Sequence, residues 1–132
     1  MTLMNACQIP ELVSTWVAAI NNGQAAELMQ YMSPEHTFYV DGEAPTVGQA
    51  DNLKGWEGYF AAFPEYRIFI DAVYEHADTY YLLGHTHGSH VPPELESVPE
   101  SVIWKVVLDA DTISKWIIFD GSKRAELGIP NS

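Results

Sequence analysis

Two aspartates close apolar runs and are each followed at once by a glycine: Asp41 after HTFYV, before Gly42, and Asp120 after TISKWIIF, before Gly121. A carboxyl in that position has two uses. As a turn former, its short side chain takes up backbone N–H groups of the bend. Held between apolar walls, it is desolvated, its pKa rises, and it can take and return a proton near neutral pH. Two such carboxyls in unequal surroundings can divide the roles of proton donor and acceptor. Trp16, Trp104 and Trp116 come from three separate apolar segments. They could wall one flat pocket, with ordinary core packing as the competing use. His85, Thr86, His87 and His90 form the densest imidazole cluster. His85 and His87 share a strand face, a usable metal chelate, but the next acid, Glu94, lies well along a proline-rich loop. The favoured strand parity turns Thr86 inward and both histidines outward, so no bound metal is expected. Glu94, Glu96 and Glu100 read as a solvated loop.

These residues need elements to position them. Pro10 and Glu11 suit a helix start. Leu12, Trp16 and Ile20, with Val13 and Val17 alongside, give one apolar stripe, and Gly23 can close the helix in the left-handed conformation. A short second helix is predicted over Gln24 to Met32, stopped by Ser33-Pro34. His36 to Asp41 is rich in aromatic and β-branched residues and reads as a strand. A third helix is predicted from about Asp51 to Phe63, with Leu53, Trp56, Phe60 and Phe63 at helical spacing. Beyond Pro64 the period drops from 3.6 to 2. Strands are predicted over Tyr66–Glu75, Thr79–His90, Ser101–Asp109 and Thr112–Asp120, with turns at Ala77-Asp78 and Asp109-Ala110-Asp111. Helices first and hairpin-linked strands later make an α+β chain with a mostly antiparallel sheet covered on one face.

The 132 residues suit a single domain, here 1–132, and 47% hydrophobic residues suffice for a core. Six basic against 18 acidic residues leave a net charge of −12, which repels phosphate backbones and anionic lipid. Nucleic acid and membrane surfaces are therefore not expected partners. No apolar run is long enough to span a bilayer. The start has neither a basic nor an apolar leader region, and one cysteine, Cys7, cannot make an internal disulfide. A cytoplasmic protein is the expectation.

The element order, with LVSTWVAAINNG (12–23), HTFYVDG (36–42), FPEYRIFIDAVYEHADTYYLLGHTHG (63–88), ISKWIIFD (113–120) and the later LGI (127–129), resembles the nuclear transport factor 2-like superfamily. Within it the chain is most similar to SnoaL-like polyketide cyclases and ketosteroid isomerases. The resemblance spans nearly the whole chain and implies a curved sheet wrapped around three helices, a cone open at one end. In ketosteroid isomerases a helix-one tyrosine and a protonated aspartic acid hold the developing oxyanion while a second aspartate moves the proton. By position these fall on Trp16, Trp104 and Asp41, so the base is kept and both oxyanion donors are replaced by indoles. The SnoaL-like cyclases imply a pocket aspartate, which Asp120 or Asp41 could supply.

Together these readings give one expectation. Asp41 and Asp120 are the candidate acid/base groups of a cofactor-independent cyclase or isomerase acting on a small apolar carbonyl compound. Trp16, Tyr39, Trp56, Tyr59, Thr86, Trp104, Trp116 and Ile118 are the candidate pocket lining. The alternative is a pocket of the same fold that binds a small hydrophobic molecule without chemistry. Relatives of this shape pair through the outer sheet face, where parity places Ile103, Val107 and Ile117, so a homodimer is expected.

Overall fold

A computed structural model of the protein describes residues 1–131. Helix α1 spans Glu11–Asn22, preceded by Pro10 and closed by Gly23 at φ +66°, whose N–H reaches the carbonyls of Ala19 and Ile20. It buries Val13, Trp16, Ala19 and Ile20, while Leu12 and Val17 of the expected stripe are partly buried and Ala19 joins it. Beyond that face, Asn21 works as a splice. Its amide donates to the Ile68 carbonyl (3.1 Å) and its carbonyl accepts the Ile68 N–H (2.7 Å), fastening the helix end to a strand.

Helix α2 spans only Ala25–Gln30. The expected helix stop, Ser33-Pro34, instead lies inside a strand that runs Met32–Val40. That strand slips register between Met32 and Thr37. A residue without an N–H is tolerated there because the irregular stretch has no ladder bond to lose. Helix α3 spans Gln49–Ala62, two residues earlier than predicted.

In chain order the strands are β1 (Thr2–Met4), β2 (Met32–Val40), β3 (Thr46–Val47), β4 (Arg67–His76), β5 (Thr79–His87), β6 (Val102–Asp109) and β7 (Thr112–Asp120). They form one curved sheet in the order β1-β4-β5-β6-β7-β2-β3. All pairs are antiparallel except β2 with β7. Ala77 and Ala110, at φ 56° and 54°, carry the two hairpin turns read from sequence. The two-residue β3 and three-residue β1 were not foreseen, being too short to show alternation. A further helix, α4 (Pro93–Glu96), interrupts the proline-rich loop. Among the described residues no helix is long and apolar enough to cross a membrane.

The sheet packs on both faces. The concave side holds α1, α2 and α3 over Trp104, Val106, Ile113 and Trp116. On the convex side, Ile129 and Leu127 of the C-terminal segment join Tyr74, Tyr81, Leu83 and Ile103 in a second cluster. The outer face, on which parity places Ile103, Val107 and Ile117, is thus covered in part by the chain itself. Ile103 lies under the chain's own tail, and Ile117 is also buried within the single chain at 2% exposure.

Candidate functional site

The mouth of the cone contains a cavity of about 360 Å³. Helix α3 supplies one wall through Asn52, Gly55, Trp56 and Tyr59, and the strands supply the other through Phe38, Val40, Thr86, Val102, Trp104 and Ile118. Ser89, His90 and Val91 close one side, while Glu43 and Thr46 stand on the opposite rim. Gly55 leaves the α3 wall open, since a Cβ there would meet nothing within 4 Å.

Packing locks the walls. Asn52 is buried and its amide donates to the carbonyls of His36 (3.0 Å), Thr46 (3.2 Å) and Gly48 (2.8 Å), tying the start of α3 to β2 and its loop. Trp56 meets Phe38 edge-on at 6.0 Å between centroids, and Tyr59 meets Tyr66 edge-on at 5.0 Å.

Of the sequence candidates, Trp56, Tyr59, Thr86, Trp104 and Ile118 line the cavity. Trp16, Trp116 and Tyr39 do not. Trp16 packs edge-on against Trp116 at 5.9 Å, and both are fully buried. They fill the narrow end of the cone, where α1 comes down on the sheet. Tyr39 lies between Phe38 and Val40, which face the cavity, so alternation sends it to the other side of β2.

Neither aspartate reaches the cavity. Asp41 is exposed in the turn after β2, and its backbone N–H donates to the Ile118 carbonyl (2.8 Å). Asp120 lies beyond Ile118 at the end of β7, but its carboxylate turns back to accept the Ser122 N–H (2.9 Å) as the cap of a short 3-10 turn. The hydrogen bonds from Ser122 hold its pKa below the ordinary carboxyl value, outweighing burial. The capping use of this carboxyl prevails, because the strand end leaves unpaired N–H groups that the carboxylate satisfies.

The carboxylate that does stand behind the cavity is Glu96, read from sequence as solvated. It is 5% exposed. It accepts from the hydroxyls of Thr86 (2.8 Å) and Ser89 (2.6 Å) and from the N–H groups of Ser89 (3.1 Å) and Gly88 (3.2 Å). Burial pushes its pKa up, but these donors together hold it below the ordinary value, so it stays ionised. The available signal was Pro92-Pro93-Glu-Leu-Glu, a proline at the first helical position with acids behind it. Tyr59 pairs with His90, its hydroxyl 2.8 Å from Nδ1 and also accepting the His90 N–H (3.3 Å). Burial raises the Tyr59 pKa, with Glu96 adding to the rise against the His90 hydrogen bond.

The histidine parity holds: Thr86 is buried on the cavity side and His87 is exposed. His85 stacks on Phe69 (5.0 Å, 15°) and pairs with Asp71 at 2.9 Å, well away from the cavity lining.

A curved α+β sheet around helices, with a cavity at its open end, defines the nuclear transport factor 2-like architecture. The chain belongs to the SnoaL-like domain family, whose model matches residues 13–115. Among solved structures it is similar to a candidate polyketide cyclase from Sinorhizobium meliloti, at 15% identity and a TM-score of 0.72, covering 87% of this chain and 99% of that one. It is also similar to a nuclear transport factor 2-like protein of unknown function from Cytophaga hutchinsonii, at 12% identity and 0.66, covering 93% and 99%. A protein from Catenulispora acidiphila with a ketosteroid isomerase-like fold, solved with trimethylamine, matches at 18% identity and 0.65, covering 93% and 96%. At such identities these likenesses show the fold. No curated protein matches the chain.

Proposed function

We propose that this SnoaL-like domain takes a small, mainly apolar, ring-bearing molecule into the cavity between α3 and the sheet. The observation that carries this reading is the lining itself: the aromatic side chains of Phe38, Trp56, Tyr59, Tyr66 and Trp104 around about 360 Å³, with polar groups gathered at the rim. That combination of apolar walls and a few convergent polar groups is what small-molecule sites have in common.

Binding has more support than isomerase chemistry. The indole N–H groups of Trp16 and Trp104, which by sequence position replace the oxyanion donors of ketosteroid isomerases, are sealed from solvent and have no acceptor. A carbonyl in the cavity would not reach them. Asp41 and Asp120 lie outside the lining, so a role for either in proton transfer would need the strand ends to rearrange. A catalytic second reading is favoured by one pair alone, Tyr59 and His90, which could move a proton at the rim without a cofactor. Deuterium exchange into the α-position of 2-tetralone, lost in His90→Gln, is the measurement that would raise it.

A homodimer through the part of the outer face left open by the C-terminal segment, and a cytoplasmic location, complete the proposal. Light scattering at tens of micromolar that returns a monomer removes the dimer.

The test of the pocket uses the neutral fluorophore N-phenyl-1-naphthylamine, which brightens when it leaves water. Gly55→Leu puts a side chain into open space on the α3 wall and improves helix propensity by roughly 0.5–1 kcal/mol. The folded variant is expected to lose the fluorescence gain shown by the parent. Equal binding by both would mean that the probe, and the proposed site, lie elsewhere.

A further inference from the structure

Glu96 is an ionised carboxylate at 5% exposure, yet no cation pairs with it. Among the described residues the ion pairs are His85–Asp71, Lys123–Glu126 and Arg124–Glu100. Buried charges are ordinarily paired, because leaving water costs several kcal/mol that hydrogen bonds only partly return. The hydroxyls of Thr86 and Ser89 lie between this carboxylate and the cavity, and both spend their hydrogens on Glu96. Ser89 Oγ also accepts the Val91 N–H (3.1 Å), so what the two oxygens have left is acceptor capacity alone, more of it on Thr86 than on Ser89.

The rest of the lining has the same sign. Glu43 stands on the opposite rim, and no lysine or arginine contributes to the lining. The aromatic walls offer the negative faces of their rings, which attract a cation held within about 6 Å. The negative field is also felt inside the site. After burial, repulsion from Glu96 is among the causes that raise the pKa values of Tyr59 and Tyr66. A carboxylate or phosphate ligand would meet like charge at Glu43 and only acceptors at Thr86 and Ser89, and the donors left to it, the hydroxyls of Thr46 and Tyr66 and the His90 ring, include no lysine or arginine.

The geometry points to a cationic ligand: an amine or quaternary ammonium group on an apolar body, its charge held among the aromatic walls between Glu43 and the Glu96 corner. The inference rests on the pocket reading above and names the chemical class of the occupant. Glu96 supplies the long-range attraction without touching the ligand, while Glu43 is free to approach it. A protein of net charge −12 also draws cations to its surface before they reach the mouth.

Three benzene derivatives test it, the first two of nearly one shape. Phenyltrimethylammonium, tert-butylbenzene and benzoate are titrated against the full chain at about pH 8, above the range in which free imidazole titrates. The readout is the NMR shift of the Trp56 and Trp104 indole signals. The ammonium is expected to bind roughly tenfold more tightly than its neutral isostere, and benzoate not at all. Glu43→Gln, at an exposed rim position, should weaken the ammonium roughly two- to fivefold and leave tert-butylbenzene unchanged. If tert-butylbenzene binds as well as the ammonium, the charge inference is overturned and the pocket stands. If benzoate binds best, the sign assigned to the cavity is wrong. If none of the three shifts either indole, the pocket reading and this inference fall together.

Discussion

Trp104 and Trp116 stack with their rings 16° apart and their centroids 6.0 Å apart, although they are not directly opposite each other in the sheet. Trp104 faces Ile118 across the β6–β7 ladder and Trp116 faces Val106. The two indoles are thus diagonal neighbours, a separation that large aromatic side chains can bridge. A register shift between Val107 and Leu108 sets the offset. The stack marks the boundary between core and cavity: Trp116 belongs wholly to the core, while Trp104 is shared by both.

Trp104→Ala should therefore show two effects at once. Losing a fully buried indole that stacks on Trp116 is expected to cost about 3 kcal/mol or slightly more, read from urea unfolding. The same change widens the cavity and should weaken binding of N-phenyl-1-naphthylamine by roughly tenfold, since one aromatic wall is gone. A variant that is destabilised but binds the probe unchanged would place Trp104 in the core alone.

Gly84 allows that stack to exist. A Cβ at this position would collide with the Phe69 carbonyl oxygen and lie 2.8 Å from Cζ3 of Trp104. The β4 bulge between Ile70 and Ala72 lies beside it, and Gly84 pairs with Ile70. Because the first obstacle is backbone, rotamer changes cannot relieve it. Gly84→Ala is expected to cost about 2–3 kcal/mol, in the upper part of the overpacking range. Chemical denaturation that finds the variant within about 0.5 kcal/mol of the parent would show that β4 and β5 are free to separate.

The strand plan was legible in the sequence because a period of 2 recurs in four segments, Arg67–His76, Thr79–His87, Val102–Asp109 and Thr112–Asp120. The β7 limits, Thr112–Asp120, agree with the sequence reading to the residue. The helix stripe of α1 was equally plain. What the sequence did not disclose depends on depth and local competition. Trp16 and Trp116 share the faces expected of them, but alternation says which way a side chain points and not how far down the cone it sits. Asp120 has the inward parity of Trp116 and Ile118, and its carboxylate was still captured by the Ser122 N–H at the strand end. Glu96 was hidden for the opposite reason. A four-residue helix between prolines has too little periodicity to be seen, and charge composition alone marks it as solvent-facing.

Glu96→Gln tests the corner that helix builds. An amide keeps the shape but loses one acceptor oxygen, so at least one of the four donors from Thr86, Gly88 and Ser89 is left facing an N–H. Orphaning a buried donor costs about 1–3 kcal/mol, and the loop over Ser89–Val91 should loosen locally. Backbone hydrogen exchange at Gly88 and Ser89 is expected to accelerate well beyond that in the β6–β7 hairpin. Uniform protection in the variant would mean that the carboxylate does not hold this loop.

His36 gives the fold a pH dependence whose sign can be worked out. Its ring is fully buried beside Trp16, with Nδ1 2.7 Å from the Ile113 carbonyl, so Nδ1 carries the hydrogen and Nε2 is left without a partner. Burial lowers its pKa below the ordinary 6.5, against the opposing pull of the Ile113 carbonyl. Below pH 6.5 the unfolded chain therefore takes up a proton that the folded chain refuses. Stability is complete above that value and falls as the pH drops towards the folded pKa, by up to about 1.4 kcal/mol per pH unit. His36→Gln can still donate to the Ile113 carbonyl but cannot be protonated. Urea midpoints measured between about pH 6.5 and pH 5, the span before most carboxylates titrate, should slope for the parent and flatten for the variant. Parallel slopes would place the acid sensitivity on other groups.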